Sequence, residues 1–178
     1  MPAKNCSNCP ITVRKFDPKK SSTATLLNKT DEIKYGKGEI RGYYIEDQLN
    51  FEQSTISYKL ILADYQKDTE HSQADGIMGL SNYKRFPNVF DVLAKERQLS
   101  SSSFAFELGL KELRQKSYFY YNLSVEDFSE AVYINASRKD YWTIPIREIR
   151  VDGQVFAVKD ALVDSGTSLI LMPASLYR

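Results

Sequence analysis

Alternation of apolar and polar residues with a period of two is the feature that most limits what this chain can fold into. Residues 32–35 and 39–45 alternate in this way on either side of a Gly36-Lys37-Gly38 tip. Successive side chains of a strand point to opposite faces, so this pattern predicts a β-hairpin. Further runs rich in β-branched and aromatic residues predict strands at 55–63, 104–108, 142–146, 148–151, 155–158 and 161–163. The expected fold class is all-β.

Three local signals complete the predicted secondary structure. Residues 88–98 have apolar positions at helical spacing and begin with Asn88, which can cap a helix. Asp152-Gly153 separates two predicted strands and is typical of a hairpin turn. The apolar residues within 76–80 lie between two glycines, and we expect them to be a short buried run.

Charge and composition exclude several classes of protein. Lys plus Arg number 24 and Asp plus Glu 23, so the net charge of +1 argues against a nucleic-acid binder and suggests no acidic partner. No apolar run reaches membrane-spanning length. The first residues lack the apolar segment of a secretory signal. Four Asn-x-Ser/Thr sequons nevertheless match the N-glycosylation pattern of secreted proteins, at Asn5, Asn28, Asn122 and Asn135.

The only two cysteines, Cys6 and Cys9, have the C-x-x-C spacing. Such a pair can be redox-active, can bind a metal or can form a tight disulfide. A zinc site needs about four ligands, and His71 is the only histidine, so we expect no metal. Pro10 and an extended stretch follow the pair where a redox motif of the thioredoxin type would enter a helix. The spacing therefore favours a small structural disulfide.

An apolar strand runs directly into the sequence Asp164-Ser165-Gly166-Thr167. Gly166 allows the backbone to fold close to the carboxylate of Asp164. Hydroxyl and amide groups nearby can donate hydrogen bonds, which stabilise the charged form of a carboxylate. An aspartate presented in this way can act as a catalytic base, although an Asx turn after a strand has the same local sequence.

The segment 163–170, with Pro173 after it, resembles the second active-site motif of the pepsin-like aspartic proteases, of the cathepsin D and pepsin type. Four other segments resemble motifs of this family and follow its order along the chain: 16–23, 33–43, 75–80 and 140–144. The resemblance therefore covers nearly the whole sequence. It implies the bilobal acid protease fold, with most of the N-terminal lobe and the start of the C-terminal lobe present.

The resemblance implies a role for each residue of the active-site loop. Asp164 would be the second of two catalytic aspartates, held in a loop with Ser165 and Gly166. The hydroxyl of Thr167 would tie the two active-site loops together. The family mechanism uses two facing carboxylates that share one proton, so that one activates water while the other donates to the peptide carbonyl.

The resemblance also assigns residues outside that loop. Segment 33–43 would be the flap hairpin, in which Tyr35 closes over a bound peptide and Gly36 and Gly38 keep the tip mobile. Cys6 and Cys9 would form the first disulfide of the family, here with a short loop. The family needs no cofactor, and its partners are peptide or protein substrates rather than nucleic acid or membrane.

The sequence departs from the family pattern because the first catalytic motif, Asp-Thr-Gly-Ser, is absent. We expect that motif just upstream of Met1 and much of the second lobe beyond Arg178. Residues 1–127 would then form an incomplete N-terminal lobe with the flap hairpin, and residues 128–178 the start of the C-terminal lobe.

The implied function is that of an aspartic endopeptidase from a secretory, lysosomal or vacuolar, or extracellular compartment. This chain would be an inactive fragment of it, and we expect pepstatin-like inhibitors to bind only the complete enzyme. The alternatives are a non-catalytic pepsin-like protein that binds peptides or partners, and an unrelated β-rich binding module.

Overall fold

The structure is a computed structural model that describes residues 1–35, 38–68, 74–82, 86–124 and 126–176. The chain forms two compact units. Unit 1 contains residues 1–79 and 89–102, and unit 2 contains residues 80–88 and 103–178. The expected division into lobes at residues 127 and 128 stays a prediction.

Unit 1 is built on a four-stranded sheet. Its strands are β1 (Pro2–Ser7), β2 (Thr25–Lys34), β3 (Glu39–Phe51) and β4 (Ser54–Lys67), in the spatial order β1-β4-β3-β2. The chain meanders through antiparallel β2, β3 and β4, while β1 lies parallel to β4. Strands β1 and β2 are therefore the two edges of this sheet.

The hairpin predicted around the glycine-rich tip is confirmed. Lys34 pairs with Glu39, and the N–H of Tyr35 donates to the carbonyl of Gly38 at 2.9 Å. Gly38 has φ of 101°, a conformation that favours glycine because other residues carry a Cβ. Gly36, the other predicted tip glycine, lies outside the described residues.

The predicted helix is confirmed over a shorter range, as α1 (Val89–Lys95). Val89, Phe90 and Leu93 are buried, so this helix covers part of the unit 1 core with its apolar face. Phe90 packs edge to face against Phe51 of β3, with 5.7 Å between ring centroids.

The described residues of unit 2 form three two-stranded antiparallel sheets. Strands β5 (Phe104–Glu107) and β6 (Tyr118–Tyr121) form the first. The second joins β7 (Thr143–Pro145) to β10 (Asp160–Leu162), and the third joins β8 (Glu148–Val151) to β9 (Gln154–Ala157). With the sheet of unit 1, these elements confirm the all-β class.

The turn predicted at Asp152-Gly153 is confirmed between β8 and β9. Asp152 has φ of 48° and Gly153 has φ of 78°. Positive φ at both central residues is the type I′ geometry, which matches the right-handed twist of the two flanking strands. The Asp-Gly sequence therefore has the turn geometry that its residue types predict.

The expectation that the apolar residues of segment 76–80 are buried is wrong. Ile77 is 71% exposed and Met78 is 48% exposed. The segment contains no helix or strand, and in the described part of the chain it pairs with no strand that would cover these side chains. Gly79 has no atom within 4 Å of the position that a Cβ would occupy.

Candidate active site

The loop that carries Asp164 is anchored by the sheet that precedes it. Strand β10 pairs with β7, and the Leu162–Thr143 pair is the last of this ladder. The N–H of Val163 then donates to the carbonyl of Trp142 at 2.8 Å, so the backbone is held up to the residue before Asp164. The predicted run of strand into aspartate is therefore confirmed.

Two donors contact the Asp164 carboxylate. The N–H of Gly166 donates to Oδ1 at 2.9 Å, and the hydroxyl of Thr167 donates to Oδ2 at 2.5 Å. The N–H of Thr167 also donates to the main-chain carbonyl of Asp164 at 3.2 Å, which closes the turn. Ser165 is not among the groups that hydrogen-bond to this carboxylate in the described chain.

Gly166 makes the close approach to the carboxylate possible. A Cβ at this position would lie 3.1 Å from Oδ1 of Asp164, tighter than an ordinary van der Waals contact. A larger residue would push the carboxylate away from the Gly166 N–H, which is the physical reason for a glycine two residues after the aspartate.

The two donors lower the pKa of Asp164. The Thr167 hydroxyl has the larger effect and the Gly166 N–H the smaller, because both stabilise the negative charge, while partial burial acts in the opposite direction. Asp164 is exposed. The site is thus a solvent-accessible carboxylate that stays ionised in mildly acidic water and can accept a proton.

Apolar side chains flank Asp164 on both sides and are exposed. Leu162 and Val163 precede it, and Leu169, Ile170 and Leu171 follow the turn, with Ile170 89% exposed. The Asp164 carboxylate therefore lies between two exposed apolar segments of unit 2.

The flap residues that the structure describes lie in unit 1. Tyr35 is 38% exposed, and the partial burial of its ring raises the pKa of its phenol. Gly38 follows across the turn described above, and Gly36 lies outside the described residues. Closure of this hairpin over the Asp164 loop stays a prediction.

The expected disulfide between Cys6 and Cys9 is present, with 5.7 Å between the two Cα atoms. Both cysteines are buried in a cluster with Ala3, Ile45 and Leu62. The bond therefore has a structural position in the core of unit 1.

Two other kinds of feature, a metal site and a membrane-spanning helix, are absent from the described residues. No group of three or more His, Cys, Asp or Glu side chains is placed to hold a metal ion within the described ranges. No helix of the described chain has the length and apolar character needed to cross a membrane.

Sequence reasoning did not identify how the site is supported. Trp142 accepts the hydrogen bond from Val163 through its carbonyl, and its indole Nε1–H donates to the carbonyl of Leu80 at 2.7 Å. Its ring also packs edge to face on Phe104, at 5.9 Å between centroids. The only available signal was that Trp142 is the single tryptophan and lies in a predicted strand.

Comparisons with known proteins give a family match and several relatives. The family model described as eukaryotic aspartyl protease matches residues 1–178. Pregnancy-associated glycoprotein 2 of Sus scrofa is 27% identical over 92% of this chain and 42% of its own length. Pepsin F of Oryctolagus cuniculus is 28% identical over 89% of this chain and 44% of its own length. Plasmepsin IV of Plasmodium falciparum (isolate 3D7) is 27% identical over 100% of this chain and 42% of its own length.

The chain belongs to the eukaryotic aspartyl protease family. It spans less than half the length of the three relatives named above.

Proposed function

We propose that the whole protein is an aspartic endopeptidase and that Asp164 is one of its two catalytic carboxylates. The observation that carries this proposal is the Asp164 carboxylate itself. It lies in a loop directly after β10 and accepts hydrogen bonds from Gly166 and Thr167 on its two oxygens. Membership of the aspartyl protease family supports hydrolysis of peptide bonds as the chemistry of that carboxylate.

The reaction needs one ionised and one protonated carboxyl group facing each other. The ionised group takes a proton from a water molecule as that water attacks the peptide carbonyl, and the protonated group donates to the carbonyl oxygen. Donors that lower the pKa of Asp164 favour the ionised form, which suits the group that accepts the proton from water. The second carboxylate would belong to an Asp-Thr-Gly-Ser motif of the whole protein.

The substrates would be peptides or unfolded protein segments. The hairpin of Tyr35, Gly36 and Gly38 would close over them, as the flap does in the family. Two carboxylates and water suffice for the chemistry, so the proposal includes no cofactor or metal. The compartment would be acidic and on the secretory route, lysosomal, vacuolar or extracellular.

The test is the activity of the native gene product. An antibody raised against the 178-residue chain would capture the product from its source cells, and the captured protein would be assayed on an unstructured protein substrate at acid pH. The proposal predicts internal cleavage that pepstatin inhibits. Absence of cleavage across the acid range, with the captured protein intact by mass, would contradict it.

A non-catalytic pepsin-like binding protein is the second candidate, because an exposed carboxylate flanked by exposed apolar side chains is also suited to binding an extended peptide. Such a site would bind peptides through the Asp164 carboxylate without cleaving them. The same captured product distinguishes the two functions, since this candidate predicts retention on an immobilised peptide or pepstatin column with no cleavage.

A further inference from the structure

We propose that Asn28 is an N-glycosylation site and that its glycan shields the outer edge of the unit 1 sheet. Asn28, Lys29 and Thr30 form a sequon within β2. The inference goes beyond peptide hydrolysis and depends on the proposed secretory route, because glycan transfer takes place in the lumen of that route.

A glycan on Asn28 would lie on an edge strand of the unit 1 sheet. Strand β2 is the outermost strand of the sheet, next to β3, and in the described chain no strand pairs with its other side. An unpaired edge offers a row of N–H and C=O groups to strands of other molecules, so proteins cover or interrupt such edges. Leu26 of this strand is also 59% exposed, which adds an apolar side chain to the edge.

The backbone around Asn28 departs from the regular ladder. The pairing register of β2 with β3 shifts between Leu26 and Thr30, so the sequon asparagine lies within the irregular part of the strand. Such a bulge bends a strand and re-aims its side chains. Asn28 is therefore an exposed residue in an irregular part of an edge strand, and exposure at the surface is what a glycosylated sequon requires.

The polar groups of the Asn28 sequon are available. Asn28 and Thr30 are exposed, and neither side chain makes a hydrogen bond to a described residue. The hydroxyl of the third sequon residue is engaged at the other three sites.

In each of the other three sequons, a serine hydroxyl contacts the protein. Ser7 donates to the carbonyl of Asp64 at 3.2 Å, and Ser137 donates to the carbonyl of Thr143 at 3.1 Å. Ser124 hydrogen-bonds to Glu126, whose pKa it lowers. Within the described residues, the Asn28 sequon is thus the one whose third residue, Thr30, makes no side-chain hydrogen bond.

The modification is a group transfer with a lipid-linked oligosaccharide as donor. The side-chain nitrogen of Asn28 forms a bond to the anomeric carbon of the first sugar, while the bond from that carbon to the diphosphate of a polyprenyl carrier breaks. Polyprenyl diphosphate leaves with the electron pair, and a base of the transferase takes the amide proton. No oxidant or metal of this chain is required.

The test follows the Asn28 peptide in the full chain. The 178-residue chain, preceded by a cleavable signal sequence, is translated with microsomes, and protection from added protease identifies the translocated molecules. Peptide N-glycosidase F in ¹⁸O water converts a glycosylated asparagine into labelled aspartate, which mass spectrometry locates. We expect the label at Asn28 in the wild-type chain, and a protected chain that is unlabelled at Asn28 overturns the proposal.

Matched variants identify the sequon as the cause. Thr30→Ala is expected to abolish the label at Asn28, and Thr30→Ser is expected to keep it. Asn50→Gln, which changes an asparagine of β3 outside any sequon, is expected to leave it unchanged. Persistence of the ¹⁸O label at Asn28 in the Thr30→Ala variant overturns the assignment of Asn28 as an N-glycosylation site. Peptidase activity is not read in this assay, so failure of the proposed function and failure of this inference are distinguishable.

The shielding role has its own readout. A variant that keeps only the Asn28 sequon, with Gln at positions 5, 122 and 135, is examined by sedimentation before and after removal of the glycan. We expect the deglycosylated chain to associate at concentrations where the glycosylated chain stays monomeric. Equal association in both states overturns the shielding role.

Discussion

In the described part of the unit 1 sheet, the backbone of β4 leaves no room for a side chain at Gly42 of β3. A Cβ at this position would overlap the carbonyl oxygen of Leu62 in β4 and would lie 2.8 Å from the Cα of Ala63, closer than an ordinary contact at 3.4 Å. The register of β3 with β4 shifts between Arg41 and Gly42, so the two strands approach closely at an irregular point of the ladder. Neither β3 nor β4 can move at this point without disturbing the backbone pairing of the two strands on both sides of Gly42.

We therefore expect Gly42→Ala to destabilise unit 1. Overpacking by one methyl group in a packed region costs about 1–3 kcal/mol, and here the contact is with main chain, which yields less than a side chain. For a chain of this length, each kcal/mol lowers the melting temperature by about 2–4 °C, so a decrease of about 2–12 °C follows. Far-UV circular dichroism is the appropriate signal, because β3 and β4 are the longest strands.

The matched control is Gly79→Ala. No atom lies within 4 Å of the Cβ that this change would add, so its melting temperature should match that of the wild type. Equal melting temperatures for Gly42→Ala and the wild type would refute the close approach of β3 and β4. Equal losses in the two variants would show that the effect does not come from the contact with Leu62.

Three further predictions concern the site and the disulfide. Thr167→Val should raise the pKa of Asp164 towards its ordinary value, and Thr167→Ser should keep it low, as carboxyl NMR titration would detect. The lowered pKa of Asp164 in the folded state stabilises the fold at pH values above the unfolded-state pKa, and this stabilisation is lost as pH falls through the folded-state pKa. The Thr167→Val variant should therefore lose less stability on acidification than the wild type. An unchanged pH dependence of stability would contradict the prediction. Reduction of the Cys6–Cys9 bond should lower the free energy of unfolding by only about 2 kcal/mol, because the closed loop is short, and a loss of twice that size in denaturant titration would count against the estimate. The purified 178-residue chain alone should hydrolyse no peptide at acid pH, and pepstatin-sensitive cleavage by it would show that this expectation is wrong.

Local patterns in the sequence were enough for the elements that depend on local interactions. The hairpin closed by Tyr35 and Gly38, the turn at Asp152-Gly153 and helix α1 all follow from alternation, turn residues and helical spacing. The loop at Asp164 is of the same kind, because the donors to its carboxylate come from residues two and three positions further along the chain.

Elements that depend on distant partners were not predictable in this way. Strand β1 contains Pro2 and three polar residues, and it is a strand because it lies parallel to β4, about sixty residues away. The exposure of Ile77 and Met78 has the same origin, because an apolar run does not reveal whether a partner strand covers it. The support of the Asp164 loop by Trp142 likewise joins residues that are far apart in sequence.

The proposed role of Asp164 as a catalytic carboxylate is tested most directly by Asp164→Asn in the whole gene product. The asparagine keeps the size of the side chain and removes its ability to accept a proton. Loss of a general base costs about 10²–10⁴-fold in rate, so the rate of pepstatin-sensitive cleavage at acid pH should fall by at least about 10²-fold. Asp160→Asn, an exposed position of β10 in the same unit, should cleave at the wild-type rate. Cleavage by Asp164→Asn at the wild-type rate would contradict the account.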